Sequence, residues 1–151
     1  MSTPKERAVM AQKADSIIDE AASGDGFARD YLNMLARITR LIDDIYDQDH
    51  EVTREDLLTV LEFLFIKLPV NPFYIRHQDV LLSQHLAMWN AWIASNEWEN
   101  GDDTEQIYSH VWRYTIHEVV PIVALLTQGY DQMKIISKNI RKLFKTNLGE
   151  E

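Results

Sequence analysis

Residues 27–47 run FARDYLNMLARITRLIDDIYD, and their spacing decides the fold class. Phe27, Tyr31, Met34, Leu35, Ile38, Leu41, Ile42 and Ile45 recur three or four positions apart, the period of a helix buried along one side. No segment of the chain alternates as a half-buried strand does. Working outward, Gly24-Asp25-Gly26 closes a preceding helix over Pro4 to Ala22, which Ser2 or Thr3 caps and Pro4 opens. Downstream, Thr53 with Asp56 has the form of a capping box. The helix that follows is apolar nearly all round, through Leu57, Leu58, Val60, Leu61, Phe63, Leu64, Phe65, Ile66 and Leu68, which predicts a place at the centre of the fold. Pro69-Val70-Asn71-Pro72 is expected to stop it and form a rigid connector. Further helices are expected from about His77 to Trp98 and from about Thr104 to Val120, where Pro121 must kink the chain or start a new helix. Gly129 sets off a last helix over about residues 130–145. The expectation is all-α: a single compact bundle of about five to seven helices, one domain over residues 1–151.

Composition agrees and narrows the function classes. A chain of 151 residues, 46% hydrophobic and 26% charged, can bury a core of its own. With no cysteine there is no disulfide, no thiolate metal site and no cysteine nucleophile. No apolar run is long enough to span a bilayer and the N-terminus lacks a secretory pattern, so a cytoplasmic protein without membrane partners is expected. The net charge of −9 disfavours nucleic acid as a partner. That charge is unevenly placed: Lys134, Lys138, Arg141, Lys142 and Lys145 fall in a stretch without acids, opposite Ile136, Ile140 and Leu143. This basic amphipathic segment is a candidate interaction helix, facing an acidic body of its own or another chain.

The densest group of potential metal ligands is Asp43-Asp44-Ile45-Tyr46-Asp47. Three carboxylates within about one helical turn can hold a divalent cation. The run resembles the first aspartate-rich motif of class I terpene synthases, a resemblance that implies carboxylates holding magnesium and, through it, a diphosphate. It covers five residues, and no second metal motif follows. The continuation Asp47-Gln48-Asp49-His50-Glu51 spaces oxygens as an EF-hand loop begins, yet Val52 stands where the turn glycine belongs and Leu58 where the bidentate glutamate belongs. Counted round the helix, Asp43 and Asp44 fall roughly 130° from the apolar stripe and Asp47 nearly opposite it. The expectation is a solvated acidic face; its alternative is a Mg²⁺ or Ca²⁺ site of Asp43, Asp44, Asp47, Asp49 and Glu51. Such a site would serve a hydrolase or transferase acting on a phosphate or diphosphate ester, with His50 or Glu51 for proton transfer.

A second candidate lies on the helix after the prolines. His85 falls among Leu81, Met88, Trp89 and Trp92, with Gln78 and Asn96 projecting nearby, so these polar groups either line a slot for a small planar ligand or bond within the core. His110 and His117 share a predicted polar face but sit two turns apart, too far to bind one metal ion together. Glu118 suits a surface ion pair. Phosphate loop, nucleophile elbow and zinc motif are all absent from the sequence. The reading is a binding module, for another protein or for itself, rather than an enzyme. No cofactor is required by it.

Overall fold

The computed structural model describes residues 3–48 and 51–145 and is an all-α bundle. Helix α1 (Pro4–Ala22) starts at Thr3, whose side chain accepts from the Glu6 amide while Glu6 reaches back to the Thr3 amide, and ends on Ser23 in the left-handed region. Helix α2 (Gly26–Asp47) is capped by Asp25, which accepts from the amides of Phe27 and Ala28. Its stripe is buried as the spacing requires, through Tyr31, Leu32, Leu35 and Ile38. Asp43 and Asp47 are exposed and Asp44 half-buried.

The segment expected at the centre lies instead at the periphery. Helix α3 (Arg54–Glu62), a π-helical turn (Phe63–Lys67) and the short α4 (Leu68–Val70) run on from one another, and only Val60, Phe63 and Leu68 are buried. Phe65 is 76% exposed and Leu58 62%. The helix also continues past the point where Pro69 was expected to stop it. Pro69 has no amide to donate and its ring crowds the carbonyl four residues back. The wide turn relieves this: the Leu68 amide bonds five residues back to Phe63. The added residue per turn also swings Leu68, rather than Lys67, onto the side already held by Val60 and Phe63. The chain breaks at Asn71, held extended before Pro72. Asn71 then caps α5 (Pro72–Arg76) through the Tyr74 amide at 3.0 Å, and its amide nitrogen donates to the Phe27 carbonyl at 3.1 Å.

Helix α6 (Gln78–Trp98) and helix α7 (Asp103–Arg113) form a hairpin whose close approach depends on two buried serines. Ser109 Oγ donates to the Ser95 carbonyl at 2.6 Å, and Ser95 Oγ to the Trp92 carbonyl at 2.7 Å. A 3₁₀ turn (Tyr114–Glu118) then leads into α8 (Val119–Gln128). Pro121 falls in the first turn of α8, where no intrahelical donor is missed, so the chain restarts there. The 3₁₀ turn alters the angular phase, and His117, expected on a polar face, stacks on Phe144 with ring centroids 4.0 Å apart. Gly129, at φ 97°, turns the chain into α9 (Tyr130–Leu143). Helices α1, α8 and α9 pack together over Ala21, Val123, Ala124 and Ile136, all without solvent contact, and Thr127 Oγ1 ties α8 to the Ala21 carbonyl at 2.7 Å. Among the described residues no helix is long and apolar enough to cross a membrane.

Candidate functional site: an uncharged face on helix α6

The five basic side chains singled out for the last helix divide by use; four lie on α9 and Lys145 two residues past its end. Arg141 pairs with Glu118, and Lys134 pairs with Asp131 at 3.1 Å beneath the Tyr130 ring. Lys138, Lys142 and Lys145 are exposed, while the apolar side of the helix, Ile136 and Ile140, is committed to the core. What α9 offers a partner is this basic face, with Tyr130 and Ile135 also exposed.

Among the described residues the aspartates do not converge. Asp43 Oδ1 accepts from Trp92 Nε1 at 2.9 Å, an acid used to tie α2 to α6. Glu51 lies beyond the end of α2, and Asp49 and His50 lie outside the described residues. Among the described residues no three acidic or histidine side chains come together as a cation would require.

The polar set of α6 does not form a slot. His85 is hydrogen-bonded from Nε2 to the hydroxyl of Tyr31 at 2.7 Å, and it stacks with Tyr31 and Tyr74. Burial lowers the His85 pKa and raises that of Tyr31, so the bond joins a neutral imidazole to a neutral phenol. Gln78 is exposed, Asn96 and Trp92 are half-buried, and Trp89 is 52% exposed. A shallow open groove lies elsewhere, between the start of α1 and the end of α9, with Lys5, Lys13 and Lys142 around Val9, Met10 and Leu143.

What α6 does present is a second apolar face. Leu81, Met88 and Ser95, seven residues apart, turn inward with His85 and Trp92 between them. Leu82, Leu86, Trp89 and Ile93 follow one another at four, three and four residues and are all exposed. By helix geometry the two faces lie roughly 110° apart. The outer one has the spacing of a coiled-coil seam, the pattern a helix shows to another helix. Trp89 is steadied by Trp92, 5.3 Å away between ring centroids, and Trp92 by Tyr46 at 5.0 Å. From Val80 to Asn96 the sequence has no Asp, Glu, Lys or Arg, in a chain of net charge −9. The α3–α4 rod separately exposes Leu57, Leu58, Leu61, Leu64 and Phe65.

Of the seam residues, Trp89 was expected on the inner face with His85, and Leu82, Leu86 and Ile93 were not singled out by the periodicity of α6, because a helix with two apolar faces has little net amphipathicity. The signal lay in the long run without charge. Compared with protein-family models, curated proteins and solved structures, the chain matches none.

Proposed function

We propose that the protein is a helical interaction module whose docking surface is the uncharged outer face of α6. The observation that carries this reading is the seam Leu82-Leu86-Trp89-Ile93, exposed and free of charge. Ordinary monomers expose single apolar residues, whereas four exposed in register along one helix face form the kind of line a second helix covers. Depletion of charge with an aromatic anchor at the centre is the composition of an interface core, and Trp89 stands mid-seam. Satisfied hydrogen bonding of His85, Tyr31 and the buried serines assigns those polar groups to holding the face rigid.

The test is a photo-crosslinker in place of Trp89, Trp89→benzoylphenylalanine, irradiated where the protein is made. The expected result is a discrete crosslinked product of higher mass. Its absence, with an equally strong product from a crosslinker at exposed Lys138 on α9, would sink the reading and move the docking surface to the basic face.

A further inference from the structure

We infer that the occupant of the α6 seam is α6 of a second copy of this chain, lying antiparallel about a twofold axis that passes between Ala87 and Met88. The inference rests on the docking reading above and deepens it. Near a twofold axis each residue meets its own kind, so any charge there would face a like charge. The stretch Val80–Asn96 contains none, which lets two chains of net charge −9 meet without repulsion at the centre. A partner of different sequence would place no such demand, and charged pairs would be the usual means of choosing it.

The ends of the seam set the direction. Asp79 lies three residues before Leu82 and Asn96 three residues after Ile93, so both continue the same line along the helix. In a parallel pair Asp79 would face Asp79. In an antiparallel pair it faces Asn96, whose amide can donate to it. Beyond these, exposed Arg76 lies three residues before Asp79, and exposed Glu97 follows Asn96 directly in the last turn of the helix. Antiparallel packing brings Arg76 of one copy near Glu97 of the other at both ends; parallel packing brings like charges together at both. The same register sets Leu86 against Trp89 of the second copy and Leu82 against Ile93.

The absence of native cysteine makes this register directly testable, since any disulfide must come from an introduced residue. Leu82→Cys and Ile93→Cys are prepared in the full chain, oxidised separately and mixed, and the mass of unmodified protein is measured by light scattering. The expected result is twice the chain mass, with disulfide-linked dimer at least tenfold enriched in the mixture over either variant alone. Leu86→Glu should return the protein to one chain mass with its helical circular dichroism unchanged, and Ala91→Cys, half-buried and roughly 170° round the helix from the seam, should not crosslink. Strong self-crosslinking of Leu82→Cys and of Ile93→Cys would overturn the antiparallel arrangement. A single-chain mass with no crosslink would overturn self-association; with a heavier product still captured at Trp89, the docking face stands and its occupant is another protein.

Discussion

Helix α9 and the α3–α4 rod both carry many apolar residues, yet α9 buries its apolar side against the protein and the rod leaves most of its own in water. On α9 the apolar residues Ile136 and Ile140 share one side and meet α1 and α8, with lysines opposite. On the rod they are spread around the axis, and only Val60, Phe63 and Leu68 are buried, where α3 meets α2 and α4 meets α5. Apolar content states how much surface benefits from leaving water; its arrangement decides whether one chain can supply the cover. A one-sided helix is satisfied by a single layer, whereas an all-round helix needs neighbours on every side, and among the described residues α3 packs chiefly against α2, on one side.

The contrast predicts unequal costs for similar substitutions, the largest on the α9 side. Ile136→Ala empties a site with no solvent contact and should lower stability by roughly 2–5 kcal/mol. Ending the chain after Gly129 removes the layer that covers α1 and α8 and should abolish cooperative thermal unfolding altogether. A truncated chain that still melts cooperatively would show that the α1–α8 pair holds without α9 and would undo the contrast.

Next in size is a pH effect at the end of the same layer. His117 is packed between the rings of Tyr114 and Phe144, and burial lowers its pKa from 6.5 to about 4. The charged groups beside it, Glu118 and Arg141, are paired with each other. The unfolded chain takes up a proton near pH 6.5 that the folded chain refuses until about pH 4. Stability is therefore intact above about pH 6.5 and falls as the pH drops toward 4, by at most about 3 kcal/mol from this group. His85, also lowered by burial, adds a loss of the same sign. Chemical denaturation between pH 7 and 4.5 should show the decline, and His117→Phe should flatten most of it; an unchanged slope in that variant would place the titration elsewhere.

A smaller effect is expected where α2 meets α6. Tyr31→Phe keeps the ring stacked on Tyr74 and His85 but removes the hydroxyl at 2.7 Å from His85 Nε2. The loss of one buried hydrogen bond should cost about 1 kcal/mol and leave the imidazole without that partner. Equal stability of Tyr31→Phe and the parent protein would mean that water replaces the hydroxyl.

The sequence made α1, α2 and α9 legible because each carries one signal at one period: a cap, a stripe and a stop. It left α3 misplaced, since an apolar helix announces that it must be covered and says nothing of whether its own chain or another does so. The π turn was illegible for a related reason. Pro69 forbids a regular helix, and either a break or a widened turn satisfies that constraint; burial of Leu68 beside Phe63 favours the widened turn. For the candidate site, carboxylate density drew attention to Asp43, whereas its bond to Trp92 depends on a residue forty-nine positions away. The charge-free run of α6 was visible throughout, but its meaning needed the knowledge that Leu81 and Met88 face inward and leave Leu86 and Trp89 outside.

The smallest effect sharpens the comparison most, because it tests the rod that looked most like core. Phe65 is a large aromatic residue on an apolar helix, a site where serine would ordinarily cost several kcal/mol. With 76% of its surface already in water, it gives up little on substitution. Phe65→Ser should change stability by no more than about 0.5 kcal/mol, the range of surface substitutions away from caps and ion pairs. It should also reduce binding of a hydrophobic dye, since the ring is the most exposed apolar group of the rod. A loss of about 2 kcal/mol or more would mean that Phe65 is covered in solution. If that loss shrank on dilution, the cover would come from a second chain, because stability shared between copies depends on their concentration. A loss independent of concentration would require α3 to fold back on its own chain, and the distinction drawn between α9 and the rod would fail.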